Sequence, residues 1–207
     1  MAKARINIIT SANQVSTEVN KALTKAANEA LSKAAVKIRK GVYPIIKNAL
    51  IDSSEMESLK SGILMAEFGL ASDPTGELVD AIMSSLDVVV TKVRGGKFSR
   101  PGSVAVVMQP NDYANLLGRG FAFQSTEDGA SLPWLSWLLT LGDKIIIADF
   151  GVVLGDFGRS GGGRMTKQTR PYKVNSQFSG TSNNNFITRA ITSVAPAIQN
   201  ILKTSIK

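Results

Sequence analysis

The chain reads as an α+β protein, and three observations carry that reading. An apolar stripe at helical spacing runs through residues 16–51, and a second closes the chain from residue 186 onward. Between them, two runs rich in β-branched residues flank a glycine-rich turn at 87–110, the pattern of a β-hairpin. With 207 residues, 43% of them hydrophobic, the chain can bury one substantial core and is read as a single domain over 1–207.

Residues 1–15 read as an N-terminal arm. Ser16 or Thr17 is the expected cap of the first helix, with Glu18 well placed in its first turn. Val19, Leu23, Ala26, Ala30, Leu31, Ala34, Ile38, Val42 and Ile45 fall three and four apart, one continuous stripe for burial. Pro44 is expected to bend or interrupt this helix near Gly41–Tyr43, because it removes a hydrogen bond and crowds the preceding turn. Next, Ser54 to Glu57 has the form of a capping box that opens an acidic helix ending at Gly69. Asp73 then caps a shorter helix with Pro74 in its first turn. The hairpin strands are expected at 87–93 and 103–108, around the basic tip 94–102.

Past a short helix at Tyr113–Leu117, Ser131 is the expected cap of a helix with Pro133 in its first turn and both tryptophans, Trp134 and Trp137. With Leu138 and its neighbours this helix is apolar nearly all round, so it belongs to the core or to a subunit contact. Residues 145–154 are expected as a strand bent at Gly151, followed by the glycine-arginine segment Gly158 to Met165. Residues 156–185 read as extended surface loops, that segment being either a loop ordered by a partner or a hairpin turn. Asn184 or Asn185 caps the closing helix, which Pro196 kinks and which is expected to pack beside the first.

The residue inventory removes several kinds of chemistry. Without cysteine or histidine there is no thiolate or imidazole metal site, no disulfide, and no serine or cysteine nucleophile with a histidine base. Gly158 and Gly163 have the spacing of a phosphate-binding loop, but Arg164-Met165 replaces the lysine and hydroxyl that reach phosphate and magnesium. Glu55, Glu57 and Glu67 hold a hard cation only if the fold gathers them, which their spacing does not demand. No catalytic residue, metal or cofactor is expected, and the chain is not read as an enzyme. The best candidate for a membrane span is interrupted by Asp143, Lys144 and Asp149, so a soluble protein is expected.

Charge falls in blocks. Residues 1–50 carry nine basic and two acidic side chains, whereas residues 51–90 carry one basic and eight acidic. Residues 151–207 are basic again, and the whole chain is +8. Blocks of opposite sign suit contact between copies of one chain, while a dedicated nucleic-acid binder more often shows one dominant basic stripe.

These segments together resemble the neck and tail-completion proteins of tailed bacteriophages, which join the head to the tail. The resemblance rests on the long first helix, on Leu59, Gly62, Leu64, Glu67, Gly69 and Leu70, and on Trp134 to Gly142. It rests further on Gly158 to Met165 and on Asn185 to Ala190. It implies a small antiparallel sheet flanked by long N- and C-terminal helices, in a structural virion subunit assembled in the host cytoplasm into a ring, a hexamer rather than a dodecamer. The implied partners are further copies, adjacent connector, portal or tail proteins, and double-stranded DNA passing through the lumen. Candidate interface or DNA-channel residues are Arg94, Lys97, Phe98, Arg100, Arg159, Arg164, Lys167, Arg170 and Lys173. Trp134, Trp137 and Leu138 are the packing candidates. The alternative is a non-specific nucleic-acid binder that uses the basic hairpin and the glycine-arginine loop.

Overall fold

The computed structural model describes residues 11–96, 99–109, 113–125, 129, 131–168 and 171–205. It is an α+β fold in which helices dominate and three separate two-stranded antiparallel sheets decorate them. The first helix, α1 (Ala12–Ile51), starts earlier than expected, because Ser11 and Gln14 make a reciprocal capping box ahead of Ser16. It also runs unbroken through Pro44. Val42 and Ile46 on either side are fully buried, and that packing holds the helix across the lost hydrogen bond.

The acidic region is two helices, α2 (Ser54–Ser61) and α3 (Ile63–Phe68), split at Gly62, which is extended. Ser53, not Ser54, caps α2 by accepting from the Met56 amide. Gly69 closes α3 in the left-handed conformation, φ 60°. Asp73 accepts from the Thr75 amide at 2.8 Å and starts α4 (Thr75–Ser85). The hairpin follows as β1 (Leu86–Thr91) and β2 (Ser103–Met108), with Leu86 opposite Met108 and Thr91 opposite Ser103.

After α5 (Ala114–Leu117), β3 (Gln124–Ser125) pairs with β4 (Ser131–Leu132). Ser131 is therefore a strand residue, and α6 (Trp134–Leu139) starts at Pro133 with no side-chain cap. Residues 145–149 are not strand, and the sheet begins at β5 (Phe150–Leu154). The glycine-arginine segment is the turn of a hairpin into β6 (Gly163–Lys167), so part of the expected 156–185 loop is sheet. The closing helix is two, α7 (Phe186–Ser193) and α8 (Ala195–Ser205), parted at Val194 just ahead of Pro196.

One core joins the C-terminal half of α1 to α2–α4, α6 and α7. Trp134 is fully buried, stands 5.7 Å from the Phe68 ring, and donates its indole N–H to the Phe121 carbonyl at 2.8 Å. Both α7 and α8 pack along α1 as expected. Gly41 permits the closest approach, since a Cβ there would sit 3.2 Å from an Ile201 methyl. Asn185 ties the parts together. Its Oδ1 accepts from the Ile187 and Thr188 amides, while its Nδ2 donates to the Tyr113 hydroxyl, the Leu139 carbonyl and the Thr181 carbonyl. Arg189 of α7 closes a 2.6 Å ion pair on the buried Glu55 of α2.

Candidate assembly surface

The basic candidates fall into three settings. At the tip of β1–β2, Arg94 and Arg100 exchange both backbone hydrogen bonds, so the ladder continues past Thr91 and leaves two exposed arginines opposite each other. The tip is not a free arm. Asn28 of α1 brackets Val93, accepting from its amide at 2.8 Å and donating to its carbonyl at 3.2 Å. Gly95 and Gly102 lie so close to the Thr24 and Leu31 side chains that a Cβ at either would force those side chains to move. Lys97 and Phe98 lie outside the described residues, as does Arg170.

In the second setting, Arg159 is exposed but bonded to its own chain. Its guanidinium donates to the Gly69 carbonyl at 3.1 Å and to the Ser125 carbonyl at 2.8 Å, fastening the β5–β6 turn to the end of α3 and to β3. This candidate interface residue thus spends two of its donors on carbonyls of its own chain. Arg164 lies over the Phe157 ring, 5.2 Å from its centroid. Lys167 and Lys173, the third setting, are exposed around the same hairpin. The tryptophan candidates divide cleanly from these: Trp134, Trp137 and Leu138 are core.

The sequence reading missed the apolar side of the β5–β6 hairpin. Register places Phe150, Val152 and Leu154 on one face, opposite Lys167, Met165 and Gly163. Phe150, Leu154 and Met165 are exposed there, with Leu154 at 54%. Ile145, Ile147 and Phe157 extend the exposed apolar surface nearby. The sheet has only two strands, so among the described residues both outer edges lack a sheet partner. The only sequence signal was the β-branched pair Val152-Val153, since Gly163–Lys167 has almost no strand composition of its own.

A second surface lies on α1, where every residue from Ser11 to Leu23 is exposed. Val15, Val19 and Leu23, the first part of the stripe expected to be buried, touch no core. The stripe is amphipathic as read, but among the described residues no element covers its start.

Glu67 of α3 is a different kind of site. One of its carboxylate oxygens is buried with no hydrogen-bond partner among the described residues, and burial pushes its pKa from 4.5 up to about 7. The Tyr172 hydroxyl is likewise buried and unpartnered, and burial together with the Glu67 charge raises its pKa. Among the described residues no three potential metal ligands converge. Glu55 is committed to Arg189, and Glu67 is not gathered with it. Nor is any described helix long and apolar enough to cross a membrane.

No family model, curated protein or solved structure matches this chain.

Proposed function

We propose that the chain is a structural subunit that assembles with copies of itself into a closed ring, and that this ring belongs to the neck of a tailed bacteriophage. The observation that supports self-assembly most directly is the placement of exposed apolar side chains. Among the exposed apolar side chains, two groups stand on separate ordered elements, Val15, Val19 and Leu23 at the start of α1 and Phe150, Val153, Leu154 and Met165 on the β5–β6 hairpin. A subunit in a stacked ring needs more than one such surface, for the neighbours beside it and for the rings above and below. The alternating charge blocks add complementarity between copies. The neck assignment rests on the sequence resemblance, and the ring is taken as a hexamer on the same ground. Negative-stain microscopy of the purified chain tests the reading. It is expected to show discrete rings, and a field of particles the size of single subunits contradicts it.

A second reading, contact with nucleic acid, is favoured by one observation. Arg94 and Arg100 face each other across the ladder with no acid between them, an arrangement that repels itself and gains from an anion. Double-stranded DNA in a ring lumen fits that pair. Binding is expected to weaken steeply with salt and to fall when both arginines are replaced by alanine. Absence of binding at low salt removes this reading and leaves the structural one standing.

A further inference from the structure

We propose that the exposed face of α1 is the within-ring contact, and that it docks into the groove between α1, α2 and α4 of a second copy. This rests on the reading of the chain as a self-assembling subunit, and it names the surfaces that reading leaves open.

The donor face is read from α1. Val15, Val19, Leu23, Ala26, Ala30, Lys33 and Lys37 recur at intervals of three and four residues, and all are exposed. The face that carries Thr24, Asn28 and Leu31 against the hairpin lies more than about 100° around the helix from it. The exposed face thus has an apolar upper part, small residues that admit close approach, and two lysines below. No acid lies on it.

The receiving groove has the opposite character. Its cavity of about 720 Å³ is lined by the apolar Ile51, Met56 and Val79 and by three acids, Asp52, Glu57 and Asp80, against two lysines, Lys47 and Lys60. Ile51 is half exposed, an apolar contact left unfilled within the chain. Lys47 reaches Asp80 only at 3.5 Å between two solvated side chains, a weak pair that leaves the acids available. Apolar lining meets apolar stripe, and carboxylates meet Lys33 and Lys37.

Geometry decides which copy supplies the helix. At 1.5 Å per residue, Leu23 lies roughly 42 Å along α1 from Ile51, which sits in the groove of its own chain. A continuous helix cannot return over that distance. Two α1 faces packed on each other fare no better. In-register parallel pairing sets Lys33 against Lys33 and Lys37 against Lys37, and antiparallel pairing over the whole face sets lysines against valines. The proposed contact is between unlike surfaces, the kind that closes a ring or extends a filament.

The chain contains no cysteine, so introduced thiols report contacts without background. Leu23→Cys lies on the exposed stripe, and Gly76→Cys lies at the groove, where an added Cβ meets nothing within 4 Å. The double variant, oxidised and run without reductant, is expected to give a ladder of disulfide-linked multimers, while each single variant stays largely monomeric. Replacing Lys33 and Lys37 by glutamate in that background is expected to remove the ladder. Dimers from Leu23→Cys alone overturn the proposal in favour of paired α1 helices. A wild-type chain that is multimeric by light scattering, with no ladder in the double variant, overturns it while leaving ring assembly intact, and α1 then meets some other partner. A chain that neither multimerises nor cross-links removes both.

Discussion

Glu67 shows how far a single residue can depart from its apparent part in a pattern. It looks like one more acid in an acidic helix, yet burial holds its pKa near 7. Below its ordinary value of 4.5 the carboxyl is protonated in both folded and unfolded chains, and the fold loses nothing. As pH rises through 4.5 to about 7, the unfolded chain releases a proton that the folded chain retains, so stability falls with pH and levels off above 7. The full shift corresponds to roughly 3 kcal/mol, and because the carboxyl is partly solvated the penalty is on the order of 2 kcal/mol. Thermal melts of Glu67→Gln are expected to gain on wild type by that amount between pH 4.5 and pH 8. A gap independent of pH rules out this account of Glu67. Asn185 is the opposite case, fully buried, its side chain within hydrogen-bond distance of five partners. Asn185→Ala removes a helix cap and both amide donors at once, and is expected to cost about 3 kcal/mol or more in denaturant unfolding. The cap itself was legible as Asn184 or Asn185. Its reach to Tyr113 and Leu139 was not, because those partners lie 72 and 46 residues away.

At the scale of elements, local chemistry identified the helices, and tertiary packing moved their ends. Ser53 displaced Ser54 as a cap, Gly62 divided one expected helix into two, and Pro196 divided another. The clearest gap is β6, where Gly163–Lys167 has almost no strand composition and takes its form from pairing with β5. The hairpin tip of β1–β2 follows the same logic, since its place on α1 depends on Asn28, which carries no such sign in sequence. Asn28→Ala is expected to loosen that dock by about 1 kcal/mol, seen as faster hydrogen exchange at Val93 with little change in the global melt. Unchanged exchange would mean the tip is held elsewhere. On β5–β6, Phe150→Asp with Leu154→Asp is expected to leave the melting point within a few degrees, because both side chains already face water. The same pair is expected to abolish co-sedimentation of the chain with tails or connectors, and retained co-sedimentation excludes that face as a docking surface.

Across the whole molecule, the α+β class was legible because both end stripes and the first hairpin are strong local patterns. The surfaces were not. A stripe such as Val15, Val19 and Leu23 has the same spacing whether its own chain covers it or another copy does. Only the placement of the other elements shows that no described residue does. Residues singled out for their charge proved mixed in role, with Arg159 fastened to its own backbone and Arg94 and Arg100 left facing solvent. In the proposed ring these uncovered surfaces meet like subunits. Light scattering of the purified chain over a range of concentrations reads that assembly without labels or variants. One dominant species at a fixed integer multiple of the 22.0 kDa subunit is expected, sixfold for the proposed ring. A mass of 22.0 kDa at every concentration would contradict it.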